Sequence, residues 1–148
     1  MASNLRTRLT IDVGGQPYQF GTPFVQTFLA LEQEPAQYQV TVPADSAATL
    51  WDGAPPISTY DFLALVADRN CQIEFTVNGG EADEYHFTLP LLANFPIVVP
   101  GGQAYAGQTG TEDAFTEGTL REVTKIRALN TDTANAALVS VFVAQEDS

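Results

Sequence analysis

Basic residues are scarce: lysine and arginine together number 6 in 148 residues, against 18 aspartates and glutamates, for a formal net charge of −12. Charged residues make up 16% of the chain, where a typical soluble domain carries roughly 25%. The imbalance is therefore a shortage of bases more than a surplus of acids. Without bases the chain lacks the phosphate contacts that supply non-specific nucleic-acid affinity, and an anionic membrane surface is disfavoured for the same reason. Neither nucleic acid nor membrane is expected as a partner. One cysteine, Cys71, cannot close an internal disulfide, and no Asn-x-Ser/Thr acceptor occurs. The longest purely apolar run, Phe62 to Ala67, has six residues, far short of the roughly 20 that cross a bilayer. Around the early bases Arg6 and Arg8 the apolar pattern is interrupted by Thr7, Thr10 and Asp12, so no cleaved secretory signal is expected and synthesis in a reducing cytoplasm fits.

What is present is enough for one core. Hydrophobic residues reach 45% and aromatics 10%, and the length is that of a single domain spanning 1–148. Leu5, Thr7, Leu9, Ile11 and Val13 alternate with polar neighbours, the period of a half-buried strand. Gly14-Gly15 supplies a hairpin turn toward a return strand at 16–20, which Pro17 confines to an edge or a strand start. Phe24 to Leu31 reads as a strand from its β-branched and aromatic content. Tyr38, Val40 and Val42 alternate as another, and 44–58 reads as a loop carrying Trp51 and Pro55-Pro56. Tyr60 to Ala67 is the near-continuous apolar run of a central strand covered on both faces. Cys71 to Val77 and Glu84 to Leu89 alternate on either side of Asn78-Gly79-Gly80, the clearest hairpin in the chain. A short run at 95–99 precedes 101–118, expected as the longest loop and a candidate for contacts. Runs at 122–130 and 137–144 close the chain. About eight to ten short strands without an amphipathic helix predict an all-β antiparallel β-sandwich, jelly-roll-like, with a barrel as the alternative and residues 1–8 as a candidate extended arm.

Candidate chemistry is thin. His86 stands alone, which excludes a His-based zinc cluster within one chain, and it falls on the polar Glu84/His86/Thr88 face of its strand. A triad through Asp61, His86 and a serine has no Gly-x-Ser-x-Gly elbow behind it. Cys71 runs in phase with Ile73 and Phe75 and reads as a core residue. The acidic clusters Glu81-Asp83-Glu84 and Glu112-Asp113 with Glu117 lack EF-hand spacing, and the three Gly-Gly doublets are turns rather than phosphate cradles. No catalytic residue, metal or cofactor is assigned, and the chain is expected not to be an enzyme. The bases gather in two places, Arg6 with Arg8 and Arg121 with Lys125 and Arg127. These five, together with Trp51 and Tyr105, are the candidate interface residues.

A strand ending at Pro43 is followed by Leu50-Trp51-Asp52 and then by Tyr60-Asp61-Phe62-Leu63-Ala64-Leu65. Next come the hairpin Cys71 to Leu89, Pro96-Ile97-Val98-Val99-Pro100-Gly101 and a closing hairpin from Val123 to Val143. This order of strands and turns resembles small β-sandwich virion proteins of tailed bacteriophages, the capsid decoration or cement proteins. The resemblance assigns no functional residue. It implies a virion location and a non-enzymatic protein that binds the major capsid protein lattice and copies of itself, as a dimer or trimer. The alternative expectation is a carbohydrate- or receptor-binding module, such as part of a tail fibre, stacking sugars on Trp51 with Tyr18, Tyr60 and Tyr105.

Overall fold

A computed structural model describes residues 3–7, 11–13, 15–18, 27–31, 34–55, 57–106, 110–111, 114–115 and 118–145. Among them every regular element is a strand: β1 (Ser3–Thr7), β2 (Ile11–Val13), β3 (Gln16–Tyr18), β4 (Thr27–Leu31), β5 (Ala36–Val42), β6 (Ser46–Trp51), β7 (Phe62–Ala67) and β8 (Cys71–Val77) come first. They are followed by β9 (Tyr85–Leu91), β10 (Ile97–Pro100), β11 (Gln103–Ala106), β12 (Gly110–Thr111), β13 (Ala114–Phe115), β14 (Thr119–Asn130) and β15 (Ala137–Ala144). No helix among the described residues is long and apolar enough to cross a membrane.

Two antiparallel sheets build the sandwich. Sheet I runs β10-β7-β15-β5. Sheet II runs β9-β8-β14, and the far edge of β14 is shared by β6 along 126–130 and by β11 along 119–122. Numbered one to eight along the chain, β5, β6, β7, β8, β9, β10, β14 and β15 lie in the order 6-3-8-1 in sheet I and 5-4-7-2 in sheet II. That is the strand order of a jelly roll. Among these eight strands only β8 and β9 join as a hairpin within one sheet; each of the other connections crosses between the sheets, that from β10 by way of β11, which pairs with β14 in sheet II.

Alternation dictates what fills the space between the sheets. Leu63, Leu65, Val139, Val141 and Val143 from sheet I meet Ile73, Phe75, Val77, Ile126 and Ala128 from sheet II, all buried. Phe75 stacks on Phe87 with ring centroids 4.7 Å apart. At one end of the core, buried Asn130 ties the corners together. Its amide donates to the carbonyls of Val42, Pro43 and Asn135 at 3.2, 3.3 and 2.8 Å, and its carbonyl accepts from the Asp132 amide at 3.0 Å. At the β10–β11 crossing the chain passes so close to β7's approach that a Cβ on Gly102 would lie 2.1 Å from the Tyr60 carbonyl oxygen.

Several sequence expectations are corrected. The stretch 44–58 is not all loop, because Ser46–Trp51 is β6. Its inward positions Ser46 and Ala48 are too small and polar to announce a strand, and a bulge opposite Ile126/Arg127 turns both Leu50 and Trp51 inward. The stretch 101–118 is not one long loop either, since it contains β11, β12 and β13, and β11 extends sheet II. The run from Leu5 to Val13 is two strands with different partners. β1 pairs with β4, and β2 pairs with β3 across the expected turn, where Gly15 has φ of 79°. Residues 3–7 of the expected arm are thus half of a two-stranded ladder. Positions 24–26 of the expected strand 24–31 lie outside the described residues.

Candidate functional site

The two sheets present outer faces of opposite character. On sheet II the outer face carries charge at Glu74, Lys125 and Arg127, beside uncharged Gln72, Thr76, Thr88 and an exposed Leu129. Arg127 on β14 donates from Nε to Glu74 Oε1 on β8 at 2.9 Å, with a second bond from its terminal nitrogen to the same oxygen. Beside it, His86 on β9 places Nδ1 3.1 Å from Thr76 Oγ1 and 3.8 Å from Glu74, and Nε2 3.0 Å from Glu84. The acids of the β8–β9 turn are held by their neighbours. The Arg121 guanidinium, at 2.9 Å, and the Asn78 amide hold Asp83 below the usual carboxylate range. Glu84 is held down first by the Gly80 amide at 2.6 Å and then by His86. Asp83 and Glu84 therefore have their charges answered within the turn or across one strand.

Sheet I has nothing of this kind. Its outward positions are Gln37, Gln39 and Thr41 on β5, and Leu138, Ser140, Phe142 and Ala144 on β15. On β7 they are Phe62, Ala64 and Val66, and on β10 Val98. No formal charge occurs among them. Phe62 and Ala144 are buried at one end, where Phe62 meets Phe142 edge to face at 5.9 Å. Toward the other end the face opens, with Val98 at 55% and Leu138 at 38% exposure. Between them Gln37, Ala64, Val66, Pro96, Ser140 and Phe142 line a shallow hollow of about 150 Å³.

The candidates named from sequence are not brought together. Arg6 lies in β1, opposite Phe28, and Arg8 lies outside the described residues. Lys125 and Arg127 share the outer face of sheet II, but Arg121 does not. A bulge between Val123 and Lys125 shifts the register, and Arg121 pairs with Ala104, whose side chain packs on the core. Arg121 and Arg127 each bind a carboxylate, so β14 offers no free cationic patch through them. Trp51 is buried, edge to face with buried Tyr60 at 5.1 Å, and its Nε1 donates to the Ile57 carbonyl at 2.9 Å. Neither ring is open to a sugar. Tyr105 is 46% exposed, at the edge strand β11.

The remaining chemical candidates are absorbed locally. Cys71 is buried, and burial followed by the nearby Asp68 pushes its thiol up, which keeps it protonated and unreactive. No group of three or more potential ligand side chains could hold a metal among the described residues. Glu112, Asp113 and Glu117 lie outside them. What sequence reasoning missed is the uncharged face itself. Its trace was the both-sided apolar character of 62–67, read there as a strand covered on both faces. No protein-family model, curated protein or solved structure matches this chain.

Proposed function

We propose that this chain is a non-enzymatic structural protein that works by packing against neighbouring proteins in an assembled shell, as a decoration or cement protein does on a phage capsid. The supporting observation is the outer face of sheet I, where four adjacent strands present eleven outward side chains without a charge among them. A neutral, largely apolar surface has no anchor for an ionic substrate. It gains by exclusion of water against another surface of similar shape. The jelly-roll order is shared by viral shell domains, lectins and cupins. The fold is therefore compatible with a virion role and names no partner.

The test is quantitative mass spectrometry on virus particles purified from the host that makes this chain. The expected result is the chain at a fixed copy number per major capsid subunit, retained through gradient purification. Particles that lack it, from a host in which the chain is abundant, would overturn the proposal.

A further inference from the structure

We infer that the uncharged face of sheet I is covered by the same face of a second copy of this chain, in a two-fold pair whose axis runs across the strands. The inference rests on the assembly reading above and names the occupant of that surface.

Charge selects the surface. Each copy carries a net charge of −12, so two copies repel wherever they meet, and least where neither buries a charge. The outer face of sheet II, with Glu74, Lys125, Arg127 and the Glu84–His86 pair, would bring charges out of water on both sides. The outer face of sheet I brings none, which avoids the desolvation cost of buried ions. A partner selected by its basic or acidic surface finds nothing on this face to recognise.

The chemistry of the face is also graded along one direction, and the gradient fits its own copy. The β5 column is polar, with Gln37, Gln39 and Thr41. β15 mixes Ser140 with Leu138, and β7 and β10 are apolar. A two-fold axis across the strands lays each column over its counterpart, polar on polar and apolar on apolar. Carboxamides and hydroxyls both donate and accept hydrogen bonds, so the β5 column is its own complement. The hollow of about 150 Å³ around Ala64 and Ser140 leaves room for an apolar side chain from across the pair.

Size sets the strength. Strands of 4, 6, 8 and 7 residues at about 3.4 Å each, side by side at about 4.8 Å, give roughly 400 Å² in projection, with Phe62 and Ala144 at one end already buried within the chain. A stable complex buries about 800 Å² per partner, so this pair is reversible and grows with concentration.

Sedimentation velocity on the full chain, from low-micromolar to near-millimolar concentration, reads this directly. A monomer–dimer equilibrium is expected. Ser140→Lys, which sets two like charges at the middle of the pair, should weaken dimerisation by about tenfold or more. Gln39→Glu, at an exposed position of the same face, should also weaken it and serves if Ser140→Lys does not fold. Thr88→Lys, on the outer face of sheet II, should leave the dimer unchanged. A chain that stays monomeric throughout, a closed trimer, or a dimer indifferent to the face variants would each overturn the pair. Those results would leave the particle measurement untouched, and absence from particles would leave the dimer standing.

Discussion

The two outer faces of this sandwich are built from the same strand geometry and solve opposite problems. Sheet II places on its outer face side chains that hold one another, Arg127 with Glu74 and His86 with Glu84. Sheet I spends its outward positions on glutamines, alanines, valines, leucine and phenylalanines that hold nothing charged. A face covered in answered charges is finished in water, because every charged group on it is hydrated or paired. Exposed apolar side chains stand on both faces, Leu129 on sheet II as well as Val98 and Leu138 on sheet I, but only on sheet I do they stand without charges beside them. The contrast teaches that the net charge of −12 describes the molecule poorly, since one side carries the ionic chemistry and the other carries none.

The largest effect should come from breaking what both sheets share. Asn130→Ala leaves the carbonyls of Val42, Pro43 and Asn135 without their donor. It should cost about 3 kcal/mol in urea unfolding, with both faces lost together. Next, Phe142→Ala and Arg127→Ala separate the faces. Removing the half-buried Phe142 ring should cost about 1–2 kcal/mol of stability and also weaken self-association. Removing the largely solvated Arg127 should cost under about 1 kcal/mol and leave association as it was. Equal effects of the two variants on association would erase the distinction between the faces.

Acid should lower stability, and raise association only down to the isoelectric point. Asp83, Glu84 and Asp132 are held below their ordinary values of 3.8, 4.5 and 3.8, Asp132 by the amides of Ala134 and Asn135. Because the folded values are the lower ones, these groups stabilise the fold above the ordinary values. That contribution is lost as pH falls through the lowered folded values. From neutral pH down to the isoelectric point near 4.1 the protonating carboxylates shrink the net charge, so association through sheet I should rise; below it the chain turns positive, copies repel again and association should fall. Thermal unfolding and sedimentation measured side by side check a stability that falls with acid and an association that peaks near the isoelectric point. The smallest effect is at Cys71, which a thiol reagent should leave unmodified in the folded chain and modify at once in denaturant.

The elements legible in the sequence were those whose inward residues are large. β5, β8, β9 and β15 show Val, Ile, Phe and Leu at every second position, and the hairpin turn at Asn78-Gly79-Gly80 stands where expected, with Asn78 at φ of 53° and Gly80 at 87°. β6 was hidden because Ser46 and Ala48 carry its inward face and its bulge puts Leu50 and Trp51 side by side. Trp51 was consequently read as a loop aromatic. The basic cluster failed for a related reason. Spacing places Arg121 two positions from Val123 and four from Lys125, and only the bulge between Val123 and Lys125 reveals that Arg121 leaves their face. The uncharged face could not be read at all from one strand at a time. It exists because the jelly-roll order sets β7 between β10 and β15, and β5 beyond β15, bringing outward residues from four distant stretches side by side.

The most direct test of the account is the salt dependence of self-association, measured by sedimentation velocity on one sample at low and at high sodium chloride. Two copies joined through a face without charge gain only from the screening of their mutual repulsion. The account therefore expects the dimer fraction to rise with salt. A dimer that dissociates as salt is added would mean that charged side chains hold it together, and would contradict the assignment of sheet I as the surface of assembly.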